Sequence, residues 1–175
     1  MRVIGGEFRS RRLKTLPGMK TRPTPDRLRE TLFDILGPRV EDTVFLDAYA
    51  GTGAVGIEAL SRGAREAIFV EKSRPAAEVI RENLKVLDVE ARGRVICGKA
   101  MTVVGRTAAR LVFLDPPYDQ ETEYSAALAL LGENPPALAI VQHTVRLKLS
   151  ETYGRLRRTR ELRQGDNVLS FYEVV

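Results

Sequence analysis

Strand-like and helix-like stretches alternate along most of this chain, and that alternation predicts an α/β fold with a doubly wound, mostly parallel sheet and helices on both faces. Three observations carry the prediction. Short apolar runs of strand length recur at 44–47, 67–71, 94–98, 111–115 and 137–141, with helical periodicity between them. A glycine-rich turn, Gly51-Thr52-Gly53-Ala54-Val55-Gly56, joins the first run to the helix after it. The tail then leaves the rhythm: 156–163 and 168–174 flank Gln164-Gly165-Asp166-Asn167, which reads as an antiparallel β-hairpin.

Taken in order, the elements begin with residues 1–20, whose apolar points Val3, Ile4, Phe8, Leu13 and Leu16 are too sparse for a core of their own. Gly5-Gly6 and Pro17-Gly18 suit turns. With Arg2, Arg9, Arg11, Arg12 and Lys14, this stretch reads as a basic arm on the main domain that lays cations along phosphates, a disordered tail being the alternative. The main domain is expected from residue 21. There Thr24 is placed to cap a helix starting at Pro25 and carrying Leu28, Leu32, Ile35 and Leu36 on its packed face, with Arg22, Arg27 and Arg29 outward. Gly37-Pro38 ends it. Further helices are expected over 53–62, 75–87 and 122–131, with a short weak one over 100–109.

The length of 175 residues suits one domain, and 43% hydrophobic with 29% charged residues fits a soluble cytoplasmic protein. No apolar run is long enough to span a bilayer. Cys97 stands alone, so no internal disulfide forms, and its apolar run makes it a small strand hydrophobe. One histidine, His143, and one cysteine do not make a zinc set. The net charge is +5, unevenly spread. Residues 1–40 hold ten Arg/Lys against four Asp/Glu and 146–163 hold seven against two, whereas the rest is acidic. Two basic ends suggest a polyanionic partner.

The chemistry centres on Asp115-Pro116-Pro117-Tyr118. Two prolines cannot continue a ladder, so the chain leaves the sheet at Asp115, presenting a carboxylate, two carbonyls and an aromatic ring at a strand's carboxyl end. That cluster suits a flat group bearing an amine. Gly51, Gly53 and Gly56 satisfy a dinucleotide fingerprint, and Glu71, 20 residues past Gly51, is placed to accept ribose hydroxyls. A nicotinamide or flavin fits that spacing. Asp47, just before the loop, opposes it, because a carboxylate there repels a pyrophosphate. S-adenosylmethionine carries a sulfonium and an ammonium and no phosphate, so the same aspartate attracts it. Hydride transfer also gives Asp115 no task, and the residues favour S-adenosylmethionine.

Asp47 to Gly56 together with Asp115-Pro116-Pro117-Tyr118 resembles the class I amino-methyltransferases. More narrowly, Arg2-Val3-Ile4-Gly5-Gly6, Arg9-Ser10-Arg11-Arg12-Leu13, Thr21-Arg22-Pro23-Thr24 and Glu58-Ala59-Leu60-Ser61-Arg62-Gly63-Ala64 resemble the bacterial RsmD family, over nearly the whole chain and in order. The resemblance implies a Rossmann-like, seven-stranded sheet whose last strand is antiparallel. It also implies methylation of a guanine N2 in 16S ribosomal RNA, within a small-subunit ribonucleoprotein and without a metal. Asp47, Gly51, Gly53 and Glu71 would hold S-adenosylmethionine, with Ala48, Lys72, Ala100 and Asp115 beside it. Asp115, Pro116 and Tyr118 would be catalytic, and Arg2, Arg9, Arg11, Arg12, Lys14 and Arg22 would meet RNA. Two positions depart from the family pattern. Lys99 stands where an acid would meet the adenine amine, and Gln142-His143 stands where a glutamate follows the fifth strand, which makes His143 a loop or edge histidine. A DNA or other RNA amino-methyltransferase and a noncatalytic RNA-binding assembly factor remain as alternatives.

Overall fold

The structure, a computed structural model, describes residues 1–18 and 24–175. Among these residues eight strands form one sheet: β1 (Val44–Asp47), β2 (Glu66–Glu71), β3 (Gly93–Cys97), β4 (Leu111–Leu114), β5 (Leu138–Thr144), β6 (Thr152–Tyr153), β7 (Leu156–Gln164) and β8 (Asn167–Val174). Their order is β3-β2-β1-β4-β5-β8-β7-β6. The first five run parallel, and β8 then pairs antiparallel with both β5 and β7. Seven strands were expected. The eighth, β6, is two residues long, too short to leave a pattern, and meets only Leu156 and Arg157 of β7.

Among the described residues four α-helices cover the faces: α1 (Asp26–Leu36), α2 (Ala54–Ser61), α3 (Arg74–Val86) and α4 (Glu121–Glu133). Alternation along each strand decides which side chain serves which layer. Phe45, Leu111, Phe113, Leu138 and Ile140 meet α1 and α2, while Leu46, Val112, Leu114, Ala139 and Val141 meet α4. The third packed group brings α2 and α3 together with Val3, Phe8 and Leu13. The first eighteen residues are therefore docked on the helices, with Arg2 and Arg12 paired as an antiparallel bridge. Gly6, at φ +78°, lies so close to Ser61 that a Cβ would sit 2.0 Å from its carbonyl oxygen. Ser61 completes the seam, its Oγ accepting from the Phe8 amide and donating to the Gly5 carbonyl.

Several local expectations need correction. Thr24 does not cap α1; Pro25 holds that position without a side-chain bond, and Thr24 Oγ1 instead donates to Gln142 Oε1 at 3.1 Å. Arg29 does not face outward. It is fully buried, its Nη2 donating to the Arg2 carbonyl at 2.6 Å and its Nε lying 3.7 Å from the buried Glu58. The weak helix over 100–109 shrinks to a 3-10 turn at Ala100–Thr102. Cys97 is exposed because β3 is the outer strand of the parallel side. His143 belongs to no loop, since β5 runs through it. It is buried, its Nδ1–H donating to the Thr144 carbonyl at 2.9 Å and its Nε2 accepting from Ser170 Oγ at 2.8 Å. Burial lowers its pKa, which keeps the ring neutral.

Candidate active site

The carboxyl ends of β1, β2 and β4 surround a cavity of about 800 Å³, within the range that holds a cofactor together with part of a substrate. Its wall includes Asp47, Gly51, Glu71, Lys72 and the turn from Asp115 to Tyr118. Parallel strands with crossovers on both faces open their loops at this edge, which is why distant residues converge there.

The glycine loop is held from both sides. Asp47, almost fully buried, accepts from the Gly56 amide at 3.0 Å and so ties the end of β1 to the first turn of α2. Glu71 accepts from the Gly51 amide through Oε2 and from the Ser73 amide through Oε1, both at 2.8 Å. Each oxygen retains a second lone pair for a ribose hydroxyl. Gly53 caps α2 in the left-handed region at φ +88°, and a Cβ on Gly56 would reach within 2.3 Å of the Phe69 ring. Gly53, Ala48 and Ala100 form no part of the cavity wall. The Ala48 amide donates to the Phe113 carbonyl, holding β1 against β4, and Ala100 packs into the α4-side core.

Two carboxylates dominate the electrostatics. Burial pushes the Asp47 carboxyl up to about 7, with Glu71 adding to the rise and the Gly56 hydrogen bond opposing it. Burial, and then the Asp47 charge, push Asp115 up to about 8. Such groups gain from a cationic ligand. Tyr49, also on the wall, has a buried hydroxyl with no hydrogen-bond partner among the described residues. Burial and then nearby Glu123 raise its pKa, so it remains a donor. Nothing in the sequence singled out Tyr49, although it sits inside the Asp47–Gly56 motif. Two acidic groups without an ion pair among the described residues, a ribose-competent glutamate and a tyrosine donor fit S-adenosylmethionine.

The Asp115–Tyr118 turn forms the lip. Tyr124 on α4 donates to the Pro116 carbonyl at 2.8 Å, fixing that acceptor. The Tyr118 hydroxyl donates to Asn167 Oδ1 at 3.4 Å, so the lip meets the β7–β8 turn. Among the residues expected to meet RNA, Arg2, Arg9, Arg11, Arg12 and Lys14 are all exposed. Arg11 already donates to the Val86 carbonyl, and Lys14 pairs with Glu82 at 2.5 Å. Arg22 lies outside the described residues, as does the expected boundary between residues 20 and 21. Met1, Thr15 and Leu16 reach the cavity wall, which the sequence did not indicate. Asn83 of α3 explains how: its Oδ1 accepts from the Lys14 amide at 2.8 Å, while its Nδ2 donates to the carbonyls of Lys14 and Thr52, each at 3.2 Å.

A family profile described as "Conserved hypothetical protein 95" matches residues 1–173, and YlbH of Bacillus subtilis, provisionally named an rRNA methyltransferase, is 35% identical over 99% of this chain and 98% of its own. The chain belongs to the RsmD family. Ribosomal RNA small subunit methyltransferase D of Escherichia coli is 41% identical over 67% of this chain, a match that spans 60% of that relative. Among solved structures, yhhF of Escherichia coli, provisionally described as a methyltransferase, superposes with a TM-score of 0.87 at 34% identity, covering 99% of this chain and 97% of the other. The RsmD-family fold is thus present from the docked arm to the C-terminal hairpin, with the lip and the glycine loop facing each other across one cavity.

Proposed function

We propose that this protein transfers a methyl group from S-adenosylmethionine to the exocyclic N2 of a guanine in 16S ribosomal RNA. The observation that carries the reading is the Asp115–Tyr118 turn at the lip of an acidic cavity backed by the glycine loop. S-adenosylmethionine, when bound, supplies an electrophilic methyl group. Asp47 and Asp115 attract its positive charge, Glu71 accepts from its ribose, and Gly51 with Lys72 borders it. A guanine amine is a weak nucleophile because its lone pair is delocalised into the ring. Asp115, accepting one N–H, and the Pro116 carbonyl, accepting the other through the lone pair that Tyr124 leaves open, pull the nitrogen toward tetrahedral geometry. Both acceptors also stabilise the positive charge that grows on nitrogen as the new bond forms. Asp115 is placed to take the departing proton. Tyr118 stacks on the base, a contact worth about 1–3 kcal/mol, and a base paired in a helix must flip out first.

The substrate is ribosomal RNA within an assembling small subunit, with already bound proteins completing the docking surface, and the cytoplasm is where that assembly occurs. The test uses labelled S-adenosylmethionine with unmodified 16S RNA and with small subunits lacking the modification, followed by mass spectrometry of the nucleosides. N2-methylguanosine in the subunit sample is the expected product. N6-methyladenine or N4-methylcytosine, in RNA or in DNA, would move the same chemistry to another amine, and binding of the cofactor without any transfer would overturn the reading.

A further inference from the structure

We infer that the C-terminal hairpin is a second anchoring surface for the RNA backbone, with Arg146, Arg160 and Arg163 as its phosphate contacts. The inference rests on the reading that the substrate is RNA. Because β8 pairs antiparallel with β5, and β7 with β8, the β7–β8 turn rises at the same edge of the sheet as the cavity. Two contacts fix its place there. Asn167 accepts from the Tyr118 hydroxyl at 3.4 Å, and the Asp166 carbonyl accepts from the Val145 amide at 3.0 Å. Arg146 follows Val145, and Arg163 donates from Nε to the Gly165 carbonyl at 3.1 Å, leaving most of its guanidinium donors open. Both arginines thus stand beside the lip.

Arg160 extends the surface down the strand, about 10 Å from Arg163 at the usual strand rise of about 3.3 Å per residue. Arg160 and Leu162 pair with Phe171 and Leu169, which face α1, whereas Arg163 projects from the opposite face. The two arginines therefore flank the outer edge of β7, which β6 covers only at Leu156 and Arg157. All three are exposed, and among the described residues none has an ion pair. Two nearby arginines differ: Arg158 pairs with Glu161, and Arg39 with Glu173. Charges of either sign guard an open sheet edge against another strand. Arg146 and Arg163 beside the mouth of a site that receives a base, with Arg160 further along the same edge and none of the three in an ion pair among the described residues, match a phosphate chain instead.

The test compares the wild type with R146Q/R160Q/R163Q for binding to unmodified 16S RNA between about 50 and 200 mM salt. The expected result is a slope of log affinity against log salt shallower by about 2, at about 0.7 per lost contact on single strands. Affinity for S-adenosylmethionine and thermal stability stay unchanged, and the corresponding triple lysine variant keeps the steep slope. An unchanged slope overturns the anchor, and unchanged binding accompanied by aggregation assigns the arginines to edge protection instead. Absence of RNA binding by the wild type overturns it too. If the slope falls as expected while no N2-methylguanosine forms on the wild-type protein, the anchor stands and the assigned reaction fails.

Discussion

Asp47 and Asp115 stand at the ends of neighbouring strands, and their raised pKa values of about 7 and about 8 make the cavity sensitive to pH. Both lie above the unfolded carboxylate value, so the folded protein holds these protons more tightly than the unfolded chain. Their contribution to stability is complete below about pH 4 and declines as pH rises toward 7 and then 8. A cationic cofactor reverses the preference. Its affinity is expected to strengthen from about pH 6 to about pH 8.5, with protons released on binding below about pH 8. Calorimetry in two buffers of different ionisation enthalpy measures that release, and affinity without pH dependence would contradict it. Asp115→Asn keeps the shape but removes the carboxylate, and turnover is expected to fall by about 10²–10³, as when one charge-stabilising group is lost. Cofactor binding weakens but survives in that variant, held by Asp47 and Glu71, and single-turnover kinetics at saturating cofactor separates the two effects. At this scale the sequence revealed the acids and hid their surroundings. Arg29 looked outward because its partners, Glu58 and the Arg2 carbonyl, come from distant segments. Thr24 looked like a cap because Gln142, 118 positions away, is its actual acceptor.

The elements were more legible than their ends. Strand runs and helix periodicity placed β1 to β5, α1 to α4 and the β7–β8 hairpin within a few residues, since apolar alternation reports burial directly. One element and one end escaped: β6 is too short for any period, and β5 continues past the expected end through Gln142, His143 and Thr144, whose polarity imitates a loop while Ser170 and Thr24 satisfy the buried side chains. Interactions between elements yield two predictions. Gly56→Ala forces a methyl group into the Phe69 ring, and a cost of about 1–3 kcal/mol is expected from overpacking, measurable by denaturant unfolding. Asn83→Ala removes the three bonds that hold Lys14 to the Thr52 loop. At about 0.5–1.5 kcal/mol each, their loss loosens a wall of the cofactor cavity. S-adenosylhomocysteine affinity is expected to drop about tenfold even though Asn83 is no part of that wall; unchanged affinity would make the arm a bystander.

For the molecule as a whole, the N-terminal arm belongs to the packed body. Val3, Phe8 and Leu13 are buried, each worth about 1.5–3 kcal/mol, so removing the arm would conflate unfolding with loss of RNA contacts. Arg9→Gln with Arg12→Gln is the cleaner change, since both side chains are exposed and neither forms an ion pair among the described residues. The salt slope for RNA binding is expected to fall by about 1.4 at about 0.7 per contact, with the melting temperature preserved. An unchanged slope would leave the arm a purely structural part. Negative groups line the interior of the cavity, while positive ones crowd the arm and the hairpin. This arrangement works as a charge filter. An uncharged nucleobase can enter, a phosphate is turned back at the threshold, and the nucleic acid can satisfy both regions only by keeping its backbone outside while one base passes through.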